Sequence, residues 1–371
     1  MYVEELRLSG FRNLSDLVLQ PHPAVNVIWG DNAQGKTNLL EAIWLFTGAR
    51  SFRGARDGDY IRFGGQSARL SLTFFAEGRS QTAELAFGAE SDKKQVNLNG
   101  IKLERRSLLS GRFCAVVFSP DHLDLIKKEP QKRRSLLDTS LCQAYPKYEK
   151  VLDSYERILR QRAVVLKDAQ LNYQLIDMLE VWDASLVEYA GYITWMRMRY
   201  TQKLAAYAAE VYDGISGGRE SFSVRYLSSC GPIPDKAERA EVTALVDAAV
   251  RQSREQDIKM AKTHIGPHRD DLEIEVNGKS ARSFGSQGQQ RSCVLALKLA
   301  ECRILEEGMK EPPIVLLDDV MSELDEGRRN YLLNHLVGRQ VFITCCDDDL
   351  LASLNGGKVF QVSGGMVVSS V

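Results

Sequence analysis

Residues 30–37 read GDNAQGKT and satisfy G-x-x-x-x-G-K-[ST] without a mismatch. The motif works only where a strand feeds a glycine-rich loop into a helix N-terminus. Both flanks comply. Residues 24–29 (AVNVIW) form a short apolar strand, and residues 38–46 (NLLEAIWLF) carry apolar side chains at helical spacing. The expected fold class is therefore α/β. Gly30 and Gly35 let the backbone wrap closely, and Asp31, Asn32, Ala33 and Gln34 lie between them with their N–H groups available to phosphate. Lys36 supplies a cation for the β- and γ-phosphate oxygens. The Thr37 hydroxyl suits Mg²⁺, which keeps most of its waters. The ligands this pattern implies are ATP and Mg²⁺. The plain alternative is a glycine-rich turn ahead of a helix.

The second half of such a site lies far downstream. Residues 314–325 read IVLLDDVMSELD, an apolar strand ending in two carboxylates. The strand suits the centre of a parallel sheet, buried on both faces. Asp318 is expected to hold Mg²⁺, and Asp319 to orient the attacking water. Lys36 and Asp319 are thus the expected catalytic residues. They stand roughly 280 residues apart, about twice what a simple nucleotide-binding domain needs. The core is therefore expected to be split. Its first part spans residues 1–125, an inserted helical domain spans 126–255, and the second part spans 256–371.

Residues 283–291 read SFGSQGQQR and precede VLALKLAECRIL at helical spacing. Ser286, Gly288 and Gln289 resemble the S-x-G-Q core of the signature of ABC-type ATPases. A serine hydroxyl and backbone N–H groups at a helix N-terminus form a second γ-phosphate site. In that class the site faces the nucleotide of the partner subunit. An ordinary serine-capped helix has the same local sequence.

The N-terminal 14 residues alternate like a strand and lack a leader's apolar stretch, and no run is long enough to span a bilayer. The seven cysteines include no C-x-x-C pair, as expected of a reduced, cytoplasmic chain without structural zinc. Net charge is −1, so any nucleic-acid contact must come from a local patch. Between Lys127 and Lys167 there are eleven basic and five acidic residues. Lys127, Lys128, Lys132, Arg133 and Arg134 cluster there as candidate DNA-phosphate contacts; a solvated helix face is the bland reading. Asn99–Gly100 and Asn277–Gly278 read as hairpin turns. Residues 175–212 read as one long helix with Gly191 as its weak point.

Further segments narrow the resemblance. LRLSGFRNL (residues 6–14), FSPDHLDLIKKEPQKRRSLLD (118–138), THIGPHRDD (263–271) and LLDDVMSELD (316–325) are similar to the RecF family, in the SMC and double-strand-break-repair branch of the ABC ATPases. The short insert lacks sustained heptads, unlike the long-armed members. The resemblance implies a split ABC-type ATPase head of mixed sheets and helices with an inserted helical domain. It implies a homodimer that forms on ATP and binds DNA at single-strand gaps. With the RecR and RecO proteins it would promote RecA loading in repair and replication. By the motif match, residues 30–37 bind ATP, Asp318 holds Mg²⁺, and Ser286 reaches across the dimer.

The wider class usually has Glu where Asp319 stands, and a histidine after the last core strand where Cys345 and Cys346 follow Thr344. A weak, DNA-stimulated ATPase acting as a switch is expected, with turnover not well above about ten per second. Arg12 follows the first strand and is a candidate nucleotide contact. Arg50, Arg53 and Arg56 are a second basic set, read equally as a loop bracing the site. His264 and His268 read as hinge or packing residues. Two other readings compete: a transporter's ATPase subunit, which leaves the basic insert unexplained, and a nucleotide-sensing protein scaffold.

Overall fold

A computed structural model describes residues 1–88, 95–346 and 357–370. The chain forms two compact units, one of Met1–Leu123 with Leu297–Val371 and one of Asp124–Ala296.

The first unit holds two six-stranded sheets. One runs in the order Met366–Ser370, Lys358–Ser363, Val25–Trp29, Val341–Cys345, Ile314–Leu317 and Ala115–Phe118. Its strands are parallel except for the closing hairpin of the first two. Every residue of Ala115–Phe118, Ile314–Leu317 and Val341–Cys345 is buried, as a parallel sheet covered on both faces requires. The other sheet is antiparallel: Leu17–Leu19, Tyr2–Ser9, Ser67–Ala76, Arg79–Gly88, Gln95–Leu98 and Ile101–Leu103. Along Ser67–Ala76 burial alternates residue by residue, so one face meets the core and the other meets water. A single apolar cluster joins Leu6, Leu72 and Phe74 of this sheet to Ile28, Leu316 and Phe342 of the parallel one. Helix Lys36–Trp44 contributes Leu40 and Ile43 to the same cluster. The phosphate-loop helix is thus fixed by burial on most of its surface.

The second unit contains helices Pro130–Ala144, Pro146–Asp168, Leu179–Ser216 and Arg239–Met260. It also has a small sheet ordered Lys279–Ser280, Asp271–Val276, Phe222–Leu227. Pro146 breaks the first helical run: Tyr145 is held extended at φ −137°, because an α conformation before proline clashes with the ring. The long helix has 38 residues, about 57 Å at 1.5 Å per residue. It begins four residues later than its periodicity suggests, behind a 3₁₀ turn at Tyr173–Met178. Both Asn-Gly pairs take positive φ at each residue, 51° and 79° at Asn99–Gly100 and 51° and 69° at Asn277–Gly278. That is the conformation a two-residue hairpin turn needs.

One expectation is corrected. Gly191 is a packing position and not a weak point. A Cβ there would fall 2.4 Å from Thr243 Oγ1 and 2.9 Å from Thr243 Cα, so glycine lets helix Arg239–Met260 approach. The compact unit that holds the helices runs on to Ala296. Strand Asp271–Val276 pairs along its whole length with Phe222–Leu227, and Arg133 grips Asp271 through two bonds of 2.6 and 2.9 Å. Sequence distance hid both partners.

His268 packs as expected of a structural histidine. The Tyr155 hydroxyl donates to its Nδ1 at 2.6 Å, and its Nε2–H donates to the Thr263 carbonyl at 3.1 Å. Burial pushes its pKa down to about 4. Between the ordinary histidine pKa of about 6.5 and that value, the unfolded chain takes up a proton that the folded chain refuses. Stability should therefore fall as pH drops through this window, by roughly 2–3 kcal/mol for this group. Urea titrations at pH 7 and pH 5 should show a smaller drop in His268→Gln than in the parent. Equal drops would remove His268 as the cause.

Candidate nucleotide site

The phosphate loop runs from the end of strand Val25–Trp29 to helix Lys36–Trp44. Gly30 has φ 153°, and a Cβ there would meet the Val362 carbonyl at 2.2 Å. Gly35 caps the helix at φ 112°. A side chain at Gly30 would press on backbone, and one at Gly35 would crowd the Leu14 and Asn13 side chains at a φ that L residues rarely adopt. Ala33 also adopts positive φ, 64°, between the two glycines. Loop side chains are tied down: Gln34 Oε1 accepts from Gly364 N at 2.6 Å, and Asn13 Nδ2 donates to the Ala33 carbonyl at 3.4 Å. Lys36 is only 4% exposed, and its ammonium donates to the carbonyls of Gly30 (2.7 Å) and Asp31 (2.9 Å). It also meets Cys346 Sγ at 3.0 Å, and that thiol donates to Asn32 Oδ1 at 3.1 Å.

The fold brings the distant carboxylates to this loop. Thr37 Oγ1 donates to Asp318 Oδ1 at 2.7 Å across 281 residues of sequence. Asp318 is buried, and its pKa is raised. Desolvation is the main cause; the Thr37 bond opposes it and the Asp319 charge adds to it. Asp319 sits at φ 51°, a left-handed conformation that Asp tolerates better than most residues. Its N–H donates to Thr344 Oγ1 at 2.8 Å. The Thr344 hydroxyl in turn lies 3.2 Å from both Asp318 Oδ1 and Asp319 Oδ1. Thr344 therefore orients both carboxylates. Sequence reasoning missed it, although a hydroxyl at the end of an otherwise apolar strand was a readable sign.

Arg12, at φ 46°, directs its guanidinium to Glu41 Oε2 at 2.7 Å and lies over the Tyr60 ring at 5.6 Å. Glu41 is fully buried on the phosphate-loop helix, so Arg12 braces that helix in this structure. Arg53 donates to Asn38 Oδ1 at 2.8 Å, and Asn38 Nδ2 donates to Asn13 Oδ1 at 2.7 Å. Arg53 thus belongs to a loop that supports the residue next to Thr37. Nothing in the sequence singled out Asn13 or Glu41.

Ser286 and Gln289 lie in the second unit. They form a reciprocal cap on helix Gln287–Met309. Ser286 N donates to Gln289 Oε1 at 2.8 Å, and Gln289 N donates to Ser286 Oγ at 3.2 Å. This is a capping box. Ser286 itself is exposed and Gly288 partly so.

The basic cluster divides. Lys127, Lys128 and Lys132 are exposed, Lys128 with Asp124 at 2.9 Å. Arg133 is not a surface residue: it is 4% exposed, and beyond Asp271 it donates to the Leu125 and Lys128 carbonyls, each at 2.9 Å. Buried, and with four of its five N–H donors engaged inside the fold, Arg133 is an internal brace and not a DNA-phosphate contact. Arg134 is half-buried and donates to the Asp270 carbonyl at 2.7 Å.

Residues 2–365 match the family described as RecF/RecN/SMC N terminal domain. The DNA replication and repair protein RecF of Acetivibrio thermocellus is 36% identical over 357 residues, 96% of each chain. That of Heliobacterium modesticaldum is 41% identical over 346 residues, 93% of this chain and 92% of its own. A solved structure described as the recombination mediator protein RecF-ATP in the RecFOR pathway superposes with a TM-score of 0.90 at 35% identity. It covers 100% of this chain and 99% of that one. An SMC head domain from Pyrococcus furiosus, 20% identical with a TM-score of 0.55, shares the fold. The chain belongs to the RecF family of DNA replication and repair proteins, with the ATPase head fold of the SMC proteins.

Proposed function

We propose that this chain is an ATP-dependent recombination mediator. It dimerises around ATP, binds DNA at single-strand gaps and, with RecR and RecO, promotes RecA loading. The observation that carries the nucleotide part is the 2.7 Å bond from Thr37 to Asp318, which joins phosphate loop and carboxylate strand into one site. A hydroxyl and a carboxylate side by side, at the mouth of a loop where side chains at Gly30 and Gly35 would be crowded, fit Mg²⁺ and a triphosphate. Thr37 and Asp318 would hold the metal, which supplies neutralisation of charge on the transferring phosphoryl oxygens.

The chain's own residues divide the remaining work. Loop N–H groups of residues 30–37 and the Lys36 ammonium hold the β- and γ-phosphates. Asp319, fixed by Thr344, orients a water against the γ-phosphorus and takes its proton as the bond to ADP breaks. From a second copy, Ser286 and the N-terminus of helix Gln287–Met309 would meet the γ-phosphate from the far side. Binding would thus close the dimer, and slow hydrolysis would release it. Slow hydrolysis, DNA-stimulated in this reading, suits a timed switch better than a motor. Lys127, Lys128 and Lys132 are the exposed cations proposed for DNA phosphates.

Ser286→Arg tests this. Sedimentation with ATP and Mg²⁺ should show loss of the dimer, at least about a hundredfold weaker, while nucleotide binding to the monomer persists. Asp319→Asn should instead accumulate the ATP-bound dimer. A Ser286→Arg protein that dimerises like the parent would refute the shared site.

A further inference from the structure

Gln289 has a second engagement besides its cap on Ser286. Its Nε2 donates to Glu220 Oε1 at 2.6 Å. The other oxygen of that carboxylate, Oε2, accepts from the Tyr212 hydroxyl at 2.8 Å. Tyr212 is fully buried near the C-terminus of the 38-residue helix Leu179–Ser216, with its ring stacked on Phe222 at 4.8 Å. One turn beyond Gln289, Cys293 is fully buried, and its thiol is pushed up to about 12, first by burial and then by the charge of Glu220. Glu220 therefore lies against the first turn of helix Gln287–Met309. It sits just after the long helix ends at the left-handed Gly217 and before strand Phe222–Leu227 begins.

We infer that Glu220 is a positioning residue for the half-site that Ser286 presents to a second copy. This rests on the shared-site reading above. A free Gln289 amide has three torsions over which to spread, and its Oε1 would cap Ser286 N only part of the time. With its Nε2 anchored on a carboxylate, its Oε1 is aimed at Ser286 N, and the turn carrying the Ser286 hydroxyl is held in one geometry. The anchor is itself held by Tyr212, so the end of the long helix and the signature turn share one carboxylate. Displacement of that helix end would pass to Ser286 through three successive hydrogen-bonded links. The chain Tyr212–Glu220–Gln289–Ser286 is thus a route by which events on the inserted helices reach the nucleotide of the opposite subunit.

The test measures ATP-dependent dimerisation by sedimentation with ATP and Mg²⁺, and ATP affinity of dilute monomer with a fluorescent ATP analogue. Loss of one charge-assisted bond corresponds to roughly tenfold in affinity. Glu220→Ala and the shorter Glu220→Asp should each weaken the dimer roughly tenfold and leave monomer affinity for the analogue unchanged. Glu220→Gln keeps an acceptor for Gln289 and an amide for the Tyr212 oxygen, and should restore the dimer to near the parent value. A merely structural role would not give this rescue together with an intact monomer affinity. Ser286→Arg runs alongside. If Ser286→Arg abolishes the dimer while Glu220→Ala and Glu220→Asp leave it unchanged, the role of Glu220 is overturned and the shared site stands. If Ser286→Arg dimerises normally, the shared site falls and this inference with it. Should Glu220→Ala fail to fold, Glu220→Asp against Glu220→Gln decides alone: equal dimer affinities for those two would overturn the proposal.

Discussion

Lys36→Met should lower ATP turnover by about 10²- to 10³-fold, the cost of removing one preorganised charge from a phosphoryl-transfer site. The residue is shaped for this task. Its ammonium is buried inside the loop, fixed by the Gly30 and Asp31 carbonyls at 2.7 and 2.9 Å, beside the Thr37–Asp318 contact. A charge so placed needs little reorganisation when the γ-phosphate arrives, and burial strengthens its field. Methionine retains the length and the packing of the stem, so the fold should survive. Steady-state phosphate release and an unchanged thermal transition are the two measurements. Turnover within about threefold of the parent would show that Lys36 does not serve the transition state.

Arg162→Ala should destabilise the second unit by about 3–5 kcal/mol, a large part of a typical total of about 5–15. Arg162 is fully buried on helix Pro146–Asp168. Its Nε donates to Asp183 Oδ1 at 2.7 Å, and its Nη1 donates to Asp257 Oδ2 at 2.8 Å and Thr263 Oγ1 at 2.7 Å. Asp257 is equally buried and binds His264 at both backbone N–H (3.0 Å) and Nδ1 (2.8 Å). Removing the guanidinium strands Asp257 in a dry interior. The pair itself adds less than this figure suggests, because both charges were desolvated to make it. Adding Asp257→Asn to the arginine variant should therefore recover part of the loss. Urea unfolding followed by circular dichroism measures both, and a shift below about 1 kcal/mol in the single variant would contradict the argument.

The candidate nucleotide site was legible because its residue pattern is local. Glycines at positions 30 and 35, a lysine at 36 and a hydroxyl at 37 must follow one another, and two adjacent carboxylates must end an apolar strand. The Asn-Gly hairpin turns were legible for the same reason, since each is set by two neighbouring residues. Arg133 was misread because sequence reports its charge but not its surroundings: five residues from the exposed Lys128, it turns inward to Asp271. Gly191 was misread because helix propensity is intrinsic, whereas the need for glycine there comes from Thr243 on another helix.

By itself the sequence determined which residues carry the expected phosphate-site chemistry and that an insert splits the core, since both follow from spacing along one chain. Tertiary structure alone decided which side chains support that chemistry. Thr344 holds the two carboxylates, Glu41 receives Arg12, and Glu220 holds Gln289, from 25, 29 and 69 residues away respectively. Such pairings depend on which surfaces burial presses together, and no local pattern records that.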